Sequence, residues 1–294
     1  MTSTRPNLTV LIPCKDERIN IRPCVESVRS IADEILVADS GSTDGTLDLV
    51  RQLGGCRIVE REFIDYSSFK NWAMAHAAHS WVLIVDADER VTDQLAAEIR
   101  SLFSKTPPLD AYRLPRVAYF LGRRINHSGW NSSMPVRLFR RDACQYNKHR
   151  VHESIEVATG RVGKLKGKLD HFTCQCLTKY LANLNRYTTT AAEDMHAAGR
   201  RGRFLDFLVR PPLRFLKDYI VRGGFLDGRG GLAVCTISAY YVFLKYLKLW
   251  ALSTTYVTAD EERSGPSSQK GIATVHQTED RPDEVPVAAG ELIG

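Results

Sequence analysis

Carboxylates are concentrated where they could do chemistry, most clearly at Asp86 and Asp88, which directly follow the apolar run 81–85. Two carboxylates held at one place repel each other unless a cation neutralises them. Mg²⁺ or Mn²⁺ binds carboxylate oxygens and bridges them to a substrate diphosphate. The pair therefore predicts a divalent-cation site, and the alternative is a solvated turn that caps the next helix.

A second acidic segment, Asp39-Ser-Gly-Ser-Thr-Asp-Gly-Thr46, combines carboxylates with small residues. Small residues let a ligand ring approach the backbone, and a carboxylate accepts hydrogen bonds from a base N–H or from ribose hydroxyls. We predict that Asp39 contacts the ligand and that Asp44 caps the following helix. The segment is neither a G-x-G-x-x-G fingerprint nor a P-loop.

The elements that must position these residues alternate along the chain. Apolar β-branched runs at 8–12, 34–39, 57–60 and 81–85 alternate with segments of helical spacing. Such alternation predicts an α/β fold with a doubly wound, mostly parallel sheet. Ligands bind beyond the carboxyl ends of strands in these sheets, and both acidic segments fall there.

The pattern changes after residue 108. Strands are predicted at 112–120, 135–139, 154–157 and 167–172, followed by helices at 177–198, 204–221 (broken at Pro211-Pro212) and 232–252. We divide the chain into a nucleotide-sugar-binding half (1–107), an acceptor-side half (108–175), a helical basic and aromatic extension (176–257) and a disordered tail (258–294).

Composition excludes several classes of protein. The 294 residues are 44% hydrophobic and 25% charged, which is typical of a folded soluble protein rather than a collagen or a disordered chain. A net charge of +6 is too weak to indicate nucleic-acid binding. Seven cysteines without a C-x-x-C pair argue against a disulfide framework and favour a reducing cytosol. No signal peptide is evident, and Lys245 and Lys248 make 230–250 a poor spanning helix.

Three motifs together resemble family 2 glycosyltransferases with the GT-A fold. They are Leu11-Ile-Pro-Cys-Lys-Asp-Glu17, Asp39-Ser-Gly-Ser-Thr-Asp-Gly-Thr46 and Val85-Asp-Ala-Asp-Glu89. Later segments, at 120–125, 129–130, 137–140, 151–153, 169–171 and 224–228, are similar to the subgroup that contains bacterial lipopolysaccharide-core β-1,4-glucosyltransferases. The resemblance covers about residues 7–252, and it departs from many relatives at Lys15-Asp16.

The resemblance implies inverting, metal-dependent transfer from a nucleotide-sugar. Asp88 would bind the Mg²⁺ or Mn²⁺ ion, which neutralises the leaving diphosphate. The implied nucleotide-sugar contacts are Pro13, Glu17, Asp39, Lys70, Asn71 and Asp86.

Inversion requires one base near the acceptor hydroxyl, and Glu153 in Val-His-Glu is our candidate, with Asp88 and Glu89 as rivals. A partly buried Glu can have its pKa raised to suit this task. His152 would orient the base or bind the acceptor. His171 would either complete the metal shell or serve as a structural histidine.

Other residues fit the acceptor side. Trp130 and Tyr119 would stack on a sugar face or belong to the core. Arg137, with Arg140 and Arg141, would clamp a phosphate of the donor or acceptor, because arginine binds phosphate through two parallel hydrogen bonds. The alternative is that these arginines are ordinary surface charges.

The C-terminal helices combine basic and aromatic residues, as peripheral membrane-binding helices do. A dimer contact is the alternative. We therefore expect transfer of a hexose from a UDP-sugar, with glucose as the first candidate. The expected acceptor is lipid-linked or lipopolysaccharide-core-like and lies on the cytoplasmic face of the cell membrane. Alternatives are a nucleotidyltransferase, although 13–18 lacks its glycine-rich loop, and a catalytically degenerate nucleotide-sugar-binding membrane protein.

Overall fold

A computed structural model of the chain describes residues 5–147 and 154–254. The predicted disordered tail therefore lies outside the described residues. The strands in chain order are β1 (Leu8–Cys14), β2 (Glu34–Asp39), β3 (Arg57–Glu60), β4 (Trp81–Ile84), β5 (Glu89–Val91), β6 (Ala111–Arg113), β7 (Arg116–Phe120), β8 (Arg123–Arg124), β9 (Val136–Arg140), β10 (Cys144–Tyr146), β11 (Ile155–Val157), β12 (Val162–Lys164) and β13 (Leu169–Cys174). The α-helices are α1 (Ile21–Val28), α2 (Thr46–Leu53), α3 (Tyr66–Ala75), α4 (Asp93–Phe103), α5 (Leu177–Ala197), α6 (Phe204–Leu216) and α7 (Gly228–Ser253).

The largest sheet has seven strands in the order β12-β6-β9-β4-β1-β2-β3. Strands β1 to β4 run parallel to one another, and β9 is antiparallel to both β4 and β6. All four residues of β4 are buried, as expected for a strand covered by helices on both faces. The predicted α/β class with a mostly parallel sheet is confirmed, with one antiparallel strand inserted.

Predicted strand 112–120 is in fact two strands in two different sheets. The chain leaves the large sheet after β6 and enters a four-stranded sheet, ordered β5-β13-β7-β8, at β7. Pro115 lies at the break, and a proline cannot donate a hydrogen bond to a strand ladder. The small sheet sets His171 opposite Glu89 and so brings β13 to the end of β4.

Polar side chains fix where helices begin. The Asp65 carboxylate accepts a hydrogen bond of 2.8 Å from the Ser68 amide at the start of α3. The Asp44 carboxylate accepts one of 2.9 Å from the Thr46 amide, the first of α2, although the N-cap position is Gly45 and not Asp44 as predicted.

Helices α5 to α7 form a helical extension, which we define as residues 177–254. The predicted break at Pro211-Pro212 is wrong, because α6 continues through both prolines and into a π-helical segment, Lys217–Val221. No residue of α6 is buried, so water can solvate the carbonyls that proline leaves without a helical partner. A short 3-10 helix, Gly224–Asp227, leads into α7.

Glycine is required where this 3-10 helix meets α7. A Cβ on Gly231 would lie 1.8 Å from the Gly224 carbonyl oxygen, so no other residue fits at this position.

In the described residues, one helical stretch, Gly224–Ser253, is long and apolar enough to cross a membrane by length and composition alone. All seven cysteines are unpaired.

Candidate active site

A cleft opens at the carboxyl ends of β1, β2 and β4, with α3 along one side. It brings together five residues predicted from the sequence, namely Pro13, Glu17, Lys70, Asp86 and Asp88. The remaining lining residues are Cys14, Ser40, Phe63, Tyr66, Phe69 and Ala87. We call this the donor cleft.

Asp86 lies on the floor of the donor cleft between two cations. Its carboxylate is 2.5 Å from an Arg137 guanidinium nitrogen and 3.7 Å from the Lys70 ammonium nitrogen. Burial opposes ionisation of Asp86, but Arg137 and then Lys70 outweigh it and hold the pKa of this carboxyl well below its usual range. Asp86 is therefore a fixed anion.

Glu89 supports Asp86 from below. It is fully buried, and its carboxylate accepts a hydrogen bond of 3.0 Å from the Asp86 amide. It also lies 3.3 Å from Arg116 and 3.5 Å from Arg137. All of these groups are buried, so Glu89 fixes the loop and is withdrawn from any acceptor. This position argues against Glu89 as the rival catalytic base.

Asp88 meets His171 at the other end of the loop. The Asp88 carboxylate lies 3.2 Å from His171 Nε2, and the histidine is fully buried. Burial alone would lower the pKa of His171, but the neighbouring Asp88 charge outweighs it and the pKa is raised. Asp86 and Asp88 thus point to different partners, although they are two residues apart.

The donor set at Asp88 fits a divalent cation. One carboxylate and one imidazole nitrogen from separate elements converge, and both are ligand types that Mn²⁺ accepts. Within the described residues, His171 Nδ1 has no hydrogen-bond partner and no group of three such ligands occurs. The chain therefore supplies two ligands here, and ligand oxygens or water would have to complete the shell.

Glu17 and Asp88 line a second cleft as well as the first. This acceptor cleft, as we shall call it, lies between the start of α1 and the start of α5. Its other lining residues are Ile19, Asn20, Phe172, Thr173, Cys174, Gln175, Cys176, Lys179, Tyr180 and Asn183. The two clefts therefore meet at a pair of carboxylates.

Polar contacts organise the acceptor cleft around Glu17. The Asn20 amide donates a hydrogen bond of 2.7 Å to the Glu17 carboxylate, and the Lys179 ammonium nitrogen lies 3.7 Å from it. Burial and then the Asp88 charge raise the pKa of Glu17 to about 7, although Lys179 and Asn20 oppose them. The Asn20 side-chain oxygen (Oδ1) accepts a hydrogen bond of 2.9 Å from the Gln175 side-chain amide (Nε2).

Comparison with known proteins agrees with this geometry. The model of glycosyl transferase family 2 matches residues 9–164, which is more than half of the chain. The chain belongs to glycosyl transferase family 2. This glycosyltransferase is 30% identical over 249 residues to the lipopolysaccharide core biosynthesis glycosyltransferase LpsC of Rhizobium meliloti (strain 1021), covering 83% of this chain and 92% of that protein.

Two further comparisons extend over most of the chain. An uncharacterized glycosyltransferase of Rickettsia typhi is 25% identical over 258 residues, covering 84% of this chain and 87% of that protein. The solved mannosyltransferase PcManGT from Pyrobaculum calidifontis, in complex with GDP-Man and Mn²⁺, superposes with a TM-score of 0.52 at 17% identity, covering 85% and 88% of the two chains. The fold of the glycosyltransferase is GT-A, as the motifs implied.

Two residues that were expected to contact the nucleotide, Asp39 and Asn71, instead form hydrogen bonds within the glycosyltransferase. Asp39 is fully buried, and its carboxylate accepts hydrogen bonds from the Gly41 and Ser42 amides and the Ser42 hydroxyl, at 2.5–2.8 Å. It therefore holds the turn beneath the donor cleft rather than lining it. Asn71 exchanges two hydrogen bonds with the Tyr146 backbone and fastens α3 to β10, so its amide is not turned to the cleft.

Two residues expected on the acceptor or phosphate side, Trp130 and Arg137, lie inside the protein. Trp130 is 1% exposed and donates a hydrogen bond of 3.1 Å to Ser238 in α7, so it is a core residue and not a stacking surface. Arg137 is 3% exposed and engaged with Asp86 and Glu89. It therefore orients carboxylates instead of clamping a phosphate at the surface.

The remaining arginines and aromatics have other partners. Arg140 pairs with Asp110 and Asp142, and Arg141 donates to carbonyls after α3. Tyr119 stacks on Phe172 at a centroid distance of 4.9 Å. Glu153 and His152 lie outside the described residues, so their predicted roles stay predictions.

Sequence reasoning missed the aromatic wall of the donor cleft. Phe63 and Tyr66 pack edge to face with ring centroids 5.0 Å apart, and the Tyr66 hydroxyl lies 3.2 Å from the Tyr187 hydroxyl of α5. The spacing of Phe63, Tyr66 and Phe69 at every third residue around the start of α3 could have indicated this wall. It also missed Lys179, because nothing local marks a lysine in the first turn of α5 as a cleft residue.

Proposed function

We propose that this glycosyltransferase moves a hexose, with inversion, from a nucleoside diphosphate sugar to a lipid-linked or lipopolysaccharide-core saccharide. UDP is the first candidate nucleotide and glucose the first candidate sugar. The observation that carries the proposal is the meeting of two clefts at Glu17 and Asp88. A donor in one cleft and an acceptor in the other would then present their reacting atoms to the same carboxylates.

The donor cleft suits a nucleoside diphosphate. Its aromatic wall at Phe63 and Tyr66 offers a flat apolar surface to a base. Lys70 is buried beside Asp86, and its ammonium group would lie close to diphosphate oxygens that enter the cleft. Pro13 and Ser40 border the same space at the strand ends.

A divalent cation, Mn²⁺ or Mg²⁺, would be held by Asp88 and His171. When bound, such an ion neutralises charge that develops on a leaving diphosphate. The Mn²⁺ and GDP-Man complex of the similarly folded mannosyltransferase supports this assignment. Arg137, Lys70 and Arg116 keep Asp86 ionised, and Glu89 fixes its backbone amide, so the donor side would be organised before the ligand arrives.

The acceptor cleft suits a saccharide. Asn20, Gln175, Asn183 and Lys179 present amide and ammonium groups, which recognise sugar hydroxyls and anionic substituents. We keep Glu153 as the base that takes the proton of the acceptor hydroxyl, and His152 as the group that orients it or binds the acceptor. The name of the Rhizobium meliloti relative supports a lipopolysaccharide-core acceptor.

A lipid-linked acceptor would be met at a membrane. We propose that it is a peripheral protein on the cytoplasmic face of the cell membrane, where a lipid-linked acceptor would be assembled. The basic charge and exposed apolar side chains of the helical extension support this location.

Thermal stabilisation by nucleotides tests the donor assignment. A ligand that binds only the folded state raises the melting temperature. We expect UDP or a UDP-sugar to stabilise the protein in Mn²⁺ and to lose most of that effect in EDTA, while GDP-, TDP- and CMP-sugars serve as comparisons. Release of free nucleoside diphosphate, rather than pyrophosphate, would separate glycosyl transfer from nucleotidyl transfer.

The variant Asp88→Asn sharpens this test. Removal of one charged ligand should reduce turnover about 10²- to 10³-fold, the range seen when one electrostatic contact to a transition state is removed. Mn²⁺-dependent stabilisation should disappear as well. Asp142→Asn is the matched control, because Asp142 is exposed and pairs with Arg140 at the surface. Full turnover of Asp88→Asn would refute the proposed metal site.

A further inference from the structure

The helical extension holds most of the exposed large apolar side chains of the described residues. Of eighteen such side chains, thirteen lie between residues 204 and 252. A soluble monomer rarely presents so large a contiguous patch to water. We call the outward side of α6 and its π-helical continuation the apolar face, and define it by Leu205, Leu208, Val209, Leu213, Leu216 and Ile220.

The apolar face has the spacing of one side of a helix. Leu205, Val209, Leu213, Leu216 and Ile220 follow one another at intervals of three or four residues, and each is between 44% and 63% exposed. The opposite side of α6 is fixed, because Phe207 contacts the rings of Phe243 and Trp250 in α7 at 6.1 and 5.7 Å. The apolar face is therefore held outward by packing on the other side.

Charge around the apolar face is one-sided. Between residues 200 and 232 the chain has eight Lys or Arg and three Asp. Each aspartate is already paired: Asp206 with Arg210 at 2.7 Å, Asp218 with Arg214 and Arg222, and Asp227 with His127. The segment beside the apolar face is thus basic, with a net charge of +5 after its three aspartates are counted.

Helix α7 is held as the inner helix of the extension. The Lys248 ammonium group donates hydrogen bonds of 2.6–2.8 Å to the Asn185 carbonyl and to the Thr188 and Thr189 hydroxyls, all in α5. If α7 crossed a bilayer it would have to break these bonds or take α5 with it, and α5 carries charged residues such as Glu193 and Asp194.

We propose that α6 lies flat in one leaflet of an anionic membrane, with the apolar face among the acyl chains, and that α7 stays within the protein. The proposal rests on the proposed function, since it names the surface by which the enzyme would meet its lipid-linked acceptor. Apolar residues backed by lysine and arginine are the composition of helices that bind the interface of anionic bilayers.

The extension transmits this attachment to the α/β domain through Asp227. Its carboxylate accepts hydrogen bonds from the Asn126 and His127 amides at 2.8–3.1 Å, and from the His127 ring at 3.0 Å. Residues 126 and 127 belong to the loop that follows β8. Membrane binding by α6 therefore fixes the orientation of the catalytic clefts relative to the lipid surface.

Co-sedimentation of the full chain with vesicles tests the proposal. We expect at least about tenfold tighter binding to phosphatidylcholine vesicles that contain phosphatidylglycerol than to phosphatidylcholine alone. The double variant Leu208→Gln/Leu213→Gln should bind the anionic vesicles at least about tenfold more weakly. Leu177→Gln/Leu181→Gln on α5 is the matched control, because it makes the same exchange at exposed leucines outside the apolar face. It should bind as the parent does.

Two other occupants would overturn the proposal. If the α6 variant converted a dimer to a monomer by light scattering while vesicle binding was unchanged, the apolar face would be a dimer contact. If alkaline carbonate failed to release the protein from cell membranes, α7 would span the bilayer. Nucleotide stabilisation is measured without vesicles and vesicle binding without nucleotide, so failure of the donor assignment and failure of this proposal give different results.

Discussion

Around the donor cleft, charged side chains are inside the protein. Glu89, Arg116 and Arg137 are at most 3% exposed, and they form a connected group with Asp86. Around α6 the arrangement is reversed, because apolar side chains are outside, up to 80% exposed at Val221, while the charged Asp218 is fully buried between two arginines.

The difference reflects what each region must bind. Buried ionic groups are costly unless they are mutually paired, and in the α/β domain that pairing holds Asp86 as a fixed anion. Exposed leucines are costly in water, and in the extension they make sense if the surroundings are not water. The charges at the donor cleft are therefore compensated within the protein, whereas the apolar side chains of α6 are not covered by it.

The largest effect is expected from breaking the buried ionic group. Arg137→Met removes a cation and leaves Asp86 and Glu89 as two adjacent buried carboxylates with less compensation. Loss of one partner of a buried pair destabilises a protein by about 3–5 kcal/mol. We expect urea unfolding to show a loss of this size.

Arg51→Met provides the comparison for Arg137. It makes the same exchange at an arginine that is 55% exposed in its side chain and pairs with Asp48 and Glu60 at the surface. A surface pair contributes about 0–1 kcal/mol, so the control should unfold nearly as the parent does. Equal losses in the two variants would contradict the distinction between buried and exposed charge.

A smaller effect is expected from pH, through Glu17 at the junction of the clefts. Its pKa is raised from 4.5 to about 7 in the folded protein. The folded state therefore binds a proton that the unfolded state has lost between these values, so this contribution to stability is present below pH 4.5 and disappears as the pH rises through 7. The shift corresponds to about 3 kcal/mol at most.

Melting temperatures of the parent and of Glu17→Gln, in EDTA between pH 4.5 and 8, measure this contribution. The parent should lose more stability with rising pH than the variant, and the difference between them isolates Glu17 from His171, which titrates in the same direction. Identical pH profiles would show that Glu17 is solvated and has an ordinary pKa.

The sequence predicted the first half of the fold well because local signals there agree with the tertiary structure. Strands 34–39 and 57–60 have the bounds that apolar runs and turns indicated. The division of 112–120 at Pro115 and the continuity of α6 were not predicted. The first depends on which sheet each part of the chain joins, and the second on the access of water to the helix backbone.

Site residues follow the same division. Asp86, Asp88 and Glu17 were predicted because they occur at strand ends in recognisable motifs, and Lys70 because the family resemblance implied it; all four line the donor cleft. Two contacts were not predictable, namely the burial of Asp39 by its own turn and the pairing of Arg137 with Asp86, 51 positions away. Both depend on the tertiary structure, which residue type and local spacing do not determine.

The smallest effect is expected at the joint between the two regions, where Trp130 of the α/β domain donates its hydrogen bond to Ser238 of α7. Trp130→Phe should reduce stability by about 1–2 kcal/mol through the lost bond and the unsatisfied hydroxyl, and it should leave the acceptor KM unchanged. Ser238→Ala should cost about 1 kcal/mol. The double variant should lose less than the two single losses together, because both remove the same contact. A raised acceptor KM with unchanged stability would instead return Trp130 to the acceptor site. The joint would then be part of the catalytic surface, and the two regions would not be separable in the way that their burial patterns indicate.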